Sequence, residues 1–146
     1  MRLNVRTVEY FYIRIEDSRE KAYDLLANLA SEEVSLLAFS AVPFGPSHVE
    51  LTIFPDRSDT FMQLAKRLGW GVTGPQHAFL VQGDDQLGAL ADIQRMLLEA
   101  DVKIYASSGV TDGSGRFGYV IYFSEDDHER ASRALGAVQQ AESREE

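Results

Sequence analysis

The residues with the chemistry of a binding site are residues 84–89, between an apolar strand and an amphipathic helix. A helix start exposes unpaired backbone N–H groups and the positive end of the helix dipole, which suit a ligand's carboxylate. Asp84 or Asp85 can pair with a ligand's ammonium group, and Gly88 has no Cβ to block close approach. This chemistry is reversible binding of a molecule that carries both groups. In the structural alternative, Asp85 only caps the helix and Gly88 only lets the helix pack on its strand.

The chain offers little support for catalysis. It contains no cysteine, which excludes disulfides, thiolate metal sites and thiol nucleophiles. His48, His77 and His128 lack the spacing of metal ligands. Neither a nucleophile elbow nor a phosphate loop occurs. We therefore predict a non-enzymatic protein with no catalytic residue, no bound metal and no cofactor.

Two motifs suggest nucleotide or RNA binding and need a structural context. Residues 113–118 fit G-x-G-x-x-G, but a strand follows them where the dinucleotide motif requires a helix, so they predict a hairpin loop. Residues 117–122 resemble the aromatic strand of an RNA-recognition motif, with Phe79 at the partner position. The basic–glycine pair that usually leads this motif is inverted here, as Gly115-Arg116. An RNA-binding domain therefore remains only a third interpretation.

Composition restricts the choice of partners. The chain has 146 residues, 45% of them hydrophobic, and a net charge of −9. An acidic balance argues against nucleic acid or an anionic membrane as the main partner. No 18-residue apolar run occurs, and the N-terminus lacks the apolar region of a signal peptide. We expect a soluble cytoplasmic protein.

An internal repeat organises the elements around the candidate site. A shift of 67 residues (89 − 22 = 67) places Ala22 on Ala89 and Leu26 on Ile93. Such a repeat means that one supersecondary unit is used twice. Each half reads as strand, helix, strand, strand, helix, and a further strand completes the plan. This order predicts an α+β protein of two ferredoxin-like βαββαβ repeats, each an antiparallel sheet with its helices on one face.

The repeat also predicts the division of the chain. We place the first copy at residues 1–74 and the second at residues 75–146, with an acidic tail at residues 139–146. Residues 70–82 are long enough to close the first sheet and open the second, and residues 3–15 are equally long. We infer that residues 3–7 fill the vacant fourth-strand position of the second copy. The two copies would then interlock.

Two aromatic side chains suggest self-association. Tyr10 and Tyr12 alternate with Phe11 and Ile13, so they lie on the face of the first sheet opposite the helices. That face must be covered by a partner or wetted by water, and edge strands of small sheets also favour pairing. We expect a homodimer formed through a sheet face or a sheet edge.

The second copy resembles the opening of an ACT domain. The resemblance is carried by Asp85-Gln86-Leu87-Gly88-Ala89-Leu90, followed by Ile93, Leu97, Ala100-Asp101-Val102 and Ile104. It covers about residues 8–137 as a tandem pair. It implies regulatory βαββαβ modules, which often bind amino acids at interfaces between paired domains.

The chain departs from the ACT pattern at three positions. Gln86 stands where a basic residue is usual, Leu87 replaces a proline, and Lys103 replaces an asparagine often used in ligand contact. The first copy has no glycine in residues 17–22. The resemblance implies a ligand site formed by Asp84, Asp85, Gln86, Leu87, Gly88, Ala89 and Lys103.

These observations predict a small regulatory protein that binds an amino acid or a similar ligand. The alternative is an interaction module that has lost its ligand and works through sheet contacts. Its melting temperature in the presence of amino acids separates the two functions.

Overall fold

The computed structural model describes residues 3–17 and 19–143. Its elements in chain order are β1 (Leu3–Glu16), α1 (Arg19–Ser31), β2 (Leu36–Phe44), β3 (His48–Pro55), α2 (Ser58–Leu68), β4 (Val72–Asp84), α3 (Ala89–Glu99), β5 (Ile104–Thr111), β6 (Arg116–Phe123) and α4 (His128–Ser143). A single 3-10 turn, Glu125–Asp127, precedes α4. The tail expected at residues 139–146 begins within α4, and its last three residues lie outside the described part. Within that part, no helix is long and apolar enough to cross a membrane.

The chain folds as two compact units. The first unit is Glu9–Gln76, and the second combines Met1–Val8 with His77–Glu146. The strand order is β2-β3-β1-β4 in the first unit and β5-β6-β4-β1 in the second. The strands β1 and β4 each contribute residues to both units. The predicted α+β class, with two ferredoxin-like βαββαβ repeats, is confirmed.

The first unit is held together by the helix-facing side of its sheet. Alternation in β1 directs Phe11 and Ile13 to one face, where Phe11 stands opposite Ile53 of β3 in antiparallel register. The Phe11 and Phe61 rings meet with centroids 4.8 Å apart, which ties α2 to the sheet. The buried core comprises Phe11, Ile13, Leu25, Leu29, Val34, Leu51, Ile53, Phe61 and Leu64. Trp70 is partly buried and packs against this core.

The second unit has a separate core that includes the start of the chain. Phe79 of β4 stacks on Phe123 of β6, with ring centroids 4.5 Å apart. Leu3 and Val5 of β1 belong to this core although almost seventy residues of chain separate them from β4. Their partners include Val81, Ala89, Ile93, Leu97, Val102, Phe117, Tyr119, Ile121, Ala131 and Leu135.

The two ends of α2 show one local sequence signal that holds and one that does not. Gly69 ends α2 with φ 72°, and the backbone N–H of Trp70 donates to the Ala65 carbonyl at 2.9 Å. Gly69 is therefore a favourable C-cap, because glycine adopts a left-handed backbone without steric cost. Serine is a preferred N-cap residue, and Ser58 stands just before the apolar stripe of α2. It is instead the first helical residue, and the N-cap position is taken by Arg57 without a side-chain hydrogen bond.

The burial of Tyr10 contradicts the prediction of an aromatic surface available to a partner. Only 6% of its surface is accessible. Its ring packs on Phe54 at 5.1 Å and on Tyr12 at 5.4 Å, and its hydroxyl donates to Gln76 Oε1 at 2.9 Å. The prediction that Tyr10 is available to a partner is therefore wrong, because these neighbours cover it.

Candidate functional site

The loop between β4 and α3 contains the predicted ligand-binding glycine. The helix begins at Ala89, and Gly88 is its N-cap with φ 86° and ψ 4°, in the left-handed region. Side chains with a Cβ are strained in that region. A Cβ built on Gly88 would meet no atom within 4 Å. Backbone conformation therefore explains this glycine, and close packing of the helix on its strand does not.

A cavity of about 520 Å³ opens beside this loop. Small-molecule sites have volumes of roughly 300–1,000 Å³, so this cavity is large enough for a small ligand. It lies within the second unit. Its walls are the loop, the first turn of α3, the end of β5 and the start of β6. The lining residues are Asp85, Gln86, Leu87, Gly88, Ala89, Leu90, Ala91, Gly109, Val110, Thr111 and Phe117.

Backbone contacts hold these walls together. The N–H of Asp85 donates to the Gly115 carbonyl at 2.8 Å, which ties the loop to the turn between β5 and β6. Within that pair of strands, Gly109 stands opposite Tyr119. A Cβ on Gly109 would lie 3.3 Å from Leu90 Cδ1. Glycine at this strand position therefore lets the first turn of α3 approach β5 closely.

Asp85 supplies the only carboxylate among the lining residues. No cation pairs with it among the residues that the structure describes. Asp84 does not line the cavity, and its carboxylate pairs instead with Arg116 at 3.0 Å. No lysine, arginine or histidine lines the cavity. The cavity therefore presents one unneutralised negative charge to a ligand.

The backbone donors of the loop are partly occupied. The N–H of Ala89 donates to the Gln86 carbonyl at 3.1 Å, and that of Asp92 donates to the Gly88 carbonyl at 3.0 Å. Within the described residues, the N–H groups of Leu87 and Gly88 have no acceptor. The donors expected at residues 87–89 are thus reduced to those of Leu87 and Gly88.

Lys103 lies away from the other predicted site residues. It precedes β5, whereas the cavity meets the far end of that strand at Thr111. At about 3.3 Å per residue, the two ends of β5 are roughly 20 Å apart. The ammonium of Lys103 lies 5.6 Å from the centroid of the Tyr105 ring. The structure therefore brings residues 85–89 together at the cavity and leaves Asp84 and Lys103 outside it.

Asp127 fastens the chain where β5 begins. Its Oδ2 accepts the backbone N–H of Lys103 at 3.0 Å, and its other oxygen pairs with Arg130. The hydrogen bond from the Lys103 backbone, supported by Arg130, holds the pKa of Asp127 below its ordinary value. This carboxylate therefore has a structural role.

The part of the cavity that comes from β5, β6 and the residues after Ala89 in α3 was not predicted from the sequence. The unpredicted residues are Leu90, Ala91, Gly109, Val110, Thr111 and Phe117. One signal was present, because a glycine inside a strand often marks close approach of another backbone or side chain. Gly109 is such a glycine. The position of its neighbour Leu90 depends on how α3 packs on β5, which the sequence pattern does not specify.

The glycine-rich segment is a hairpin loop, as predicted. Gly113 and Gly115 have positive φ angles of 78° and 97°. Asp112 Oδ1 accepts the backbone N–H of Ser114 at 2.7 Å, and this bond holds the pKa of Asp112 below its ordinary value. The segment leads directly into β6, so it opens no helix and lacks the geometry of a dinucleotide site.

The aromatic residues on which the RNA-binding interpretation depends are buried rather than exposed. Phe79, Phe117 and Tyr119 are buried in the core of the second unit. The hydroxyl of Tyr119 accepts from Gln94 Nε2 at 2.5 Å and donates to Ser107 Oγ at 2.9 Å. Stacking of bases requires exposed aromatic faces. These three side chains therefore provide no stacking platform.

The histidines form no metal centre in the described part of the chain, where no group of three ligating side chains is close enough to hold an ion. His128 packs against the Phe123 ring, with centroids 5.4 Å apart, and lies parallel to Phe79. His48 contacts its neighbour Ser47 at 3.0 Å.

Solved structures share this fold over nearly the whole chain. Protein BT0572 from Bacteroides thetaiotaomicron superposes with a TM-score of 0.78 at 17% identity, covering 91% of this chain and 89% of the other. The ligand-free regulatory subunit of aspartate kinase from Thermus thermophilus gives 0.67 at 14% identity, covering 94% and 97%. The same subunit from Thermus flavus gives 0.60 at 13% identity, with the same coverage. The likeness establishes an ACT-like fold.

No protein-family model and no curated protein matches the chain by sequence.

Proposed function

We propose that this protein is a small, non-enzymatic regulatory protein that binds an amino acid at the loop between β4 and α3. The observation that carries the proposal is the cavity of about 520 Å³ that this loop lines within an ACT-like fold. Similar folds occur in proteins named as regulatory subunits of aspartate kinase. Those names support a regulatory role for this chain.

Each end of an amino acid has a chemical counterpart at the cavity. The ammonium group pairs with Asp85, whose carboxylate has no other cation partner among the described residues. The carboxylate accepts the backbone N–H groups of Leu87 and Gly88, which precede the helix and carry its positive dipole end. Gln86 and Ala89 complete the wall on this side.

Calorimetric titration with the twenty common amino acids tests the proposal. We expect one or a few of them to bind the parent protein. Asp85→Asn should weaken that binding by roughly tenfold to a hundredfold, because a hydrogen bond to a charged group is worth about 1.5–3 kcal/mol. Asp17→Asn is the matched control, since Asp17 directly follows β1 as Asp85 directly follows β4. Absence of binding by the parent would favour the ligand-free interaction module.

We also propose that the protein forms a homodimer through the edge of β5. This strand is the last of the second unit's sheet, and most of it is exposed. Val110 is 72% accessible and Tyr105 is 62% accessible. An exposed apolar edge strand can pair with another strand, and a second copy supplies an identical one.

Light scattering measures this association. At a concentration on the order of tens of micromolar, the parent should show twice the mass of one chain, as expected for a dimer with an interface of standard size. Val110→Lys should give the monomer mass, because a charge on an edge strand opposes pairing. Val42→Lys makes the same change on β2, the exposed edge strand of the first unit, and should leave the dimer intact. Monomer mass for the parent would contradict the proposal.

A further inference from the structure

We infer that the ligand of the second unit's cavity is an amino acid with an apolar side chain. This inference rests on the proposed function and adds the class of ligand. It follows from two independent properties of the lining, its charges and its apolar side chains.

The charges of the lining disfavour a ligand with an ionised side chain. Asp85 is the single lining carboxylate, and the ligand's own ammonium group neutralises it. A lysine or arginine ligand would bring a second positive charge, while the nearby Asp84 is already paired with Arg116. An aspartate or glutamate ligand would bring a negative charge to a cavity that no lysine, arginine or histidine lines. Both classes would leave a charge without a partner, which is costly when desolvated.

The apolar side chains favour a hydrophobic ligand side chain. Leu87, Leu90 and Val110 line the cavity and are all exposed to solvent. Phe117 and Ala89 form a buried apolar base behind them. A ligand that covers these side chains removes apolar surface from water, and the gain grows with the buried area. Thr111 and Gln86 are the remaining polar side chains of the lining.

Competition among ligand classes tests this inference. Leucine, isoleucine, valine, methionine and phenylalanine should include the tightest ligand in calorimetric titration. Aspartate, glutamate, lysine and threonine should bind at least about tenfold more weakly, in the range that one hydrophobic pocket can discriminate. Binding of a charged or hydroxylated amino acid as tightly as the best apolar one would overturn the inference and leave the proposed function standing. Binding of none would overturn both.

A charge introduced at the cavity should change the selectivity. Leu87 is a fully exposed loop residue that lines the cavity, so Leu87→Lys should preserve the fold. We expect this variant to bind aspartate or glutamate at least about tenfold more tightly than the parent does. Leu98→Lys is the control, because Leu98 is exposed on α3 of the same unit and lies outside the cavity.

The control variant should retain the parent's order of ligands. An equal gain in acidic ligands from both variants would mean that net charge alone sets the preference and would overturn the inference. An unchanged order in Leu87→Lys would overturn it as well, since a lysine on the cavity wall would then be invisible to the ligand. Thermal melting of both variants without ligand verifies that each is folded.

Discussion

The two strand-to-helix junctions of this protein occupy equivalent places in the two units and differ in length. In the first unit β1 ends at Glu16 and α1 begins at Arg19. In the second unit β4 ends at Asp84 and α3 begins at Ala89. The structure sets the repeat at 68 residues, because Phe11 pairs with Ile53 as Phe79 pairs with Ile121 (79 − 11 = 68). The predicted shift of 67 is therefore one residue short, and Arg19 corresponds to residue 87 (19 + 68 = 87). The second helix therefore starts two residues later (89 − 87 = 2), and the left-handed Gly88 occupies its N-cap.

The two junctions also differ in how their charged side chains are paired. Glu20, which corresponds to Gly88 (88 − 68 = 20), lies inside α1, and the next residue, Lys21, pairs with Glu16 at 3.0 Å. The hydrogen bond from Lys21 holds the pKa of Glu16 below its ordinary value. Asp85 has no such partner in the described part of the second unit. In the first unit an ion pair occupies the charges of the junction. In the second unit, as far as the structure describes it, a longer loop with a glycine leaves the carboxylate of Asp85 unpaired beside a cavity.

The largest expected effect is a loss of stability, and it tests whether the two units have separate cores. Leu3→Ala should cost about 2–5 kcal/mol of stability, because it removes a fully buried side chain. Leu3 belongs to the core of the second unit. Hydrogen exchange should therefore accelerate in β6 more than in β3. Leu51→Ala, in the core of the first unit, should give the opposite distribution. Faster exchange in β3 than in β6 after Leu3→Ala would show that β1 does not link the start of the chain to the second core.

A smaller effect is expected at the junctions themselves. Gly88→Val should lower stability by about 1–2 kcal/mol, because a β-branched residue is strained at φ 86°. Gly88→Asn should cost less, since asparagine tolerates the left-handed region. Lys21→Val provides the comparison at a right-handed helical position. Thermal melting of the three variants measures the difference. Equal losses from Gly88→Val and Lys21→Val would contradict the conformational explanation.

Each unit also has an aspartate that fastens the start of an edge strand. Asp127 accepts the N–H of Lys103, and Asp56 accepts the N–H of Ser35 at 3.1 Å. Asp127→Asn should lower the melting temperature at pH 7. Because the folded-state pKa of Asp127 lies below 3.8, its charge stabilises the fold above that pH. The contribution is lost as the pH falls through the lower folded-state pKa.

Melting curves from pH 7 down to pH 2 measure this dependence. The difference between the parent and Asp127→Asn should shrink below pH 3.8. Asp56→Asn should have the smaller effect at pH 7, because its hydrogen bond is exposed. A difference for Asp127→Asn that stays constant over this range would exclude the carboxylate's charge as the cause.

The smallest effect is expected from the ion pair of the first junction. Both partners of Glu16 and Lys21 are exposed, and exposed pairs contribute little because water and salt screen them. Lys21→Met should leave the melting temperature and the titration with amino acids unchanged. Weaker ligand binding in Lys21→Met would show that the first junction takes part in the site.

Local patterns account for the parts of the fold that the sequence analysis predicted. Alternation in β1 is a property of neighbouring residues, and the sequence predicts it correctly. Ser58 shows the limit of the same logic, because a residue with a capping side chain at the right place became the first helical residue. Tyr10 shows a different limit. Its position on the helix-free face follows from alternation, but its burial depends on Phe54 and Gln76, which lie far along the chain.

The sequence by itself determined the order of elements, the presence of an internal repeat and the loop that carries Asp85 and Gly88, because periodicity and turn chemistry act between near neighbours. Only the tertiary structure decided which side chains face that loop. Gly109, Val110 and Phe117 reach it through the register of β5 on β6 and the packing of α3. Those contacts join residues about twenty to thirty positions apart, and each depends on interactions that no local pattern records.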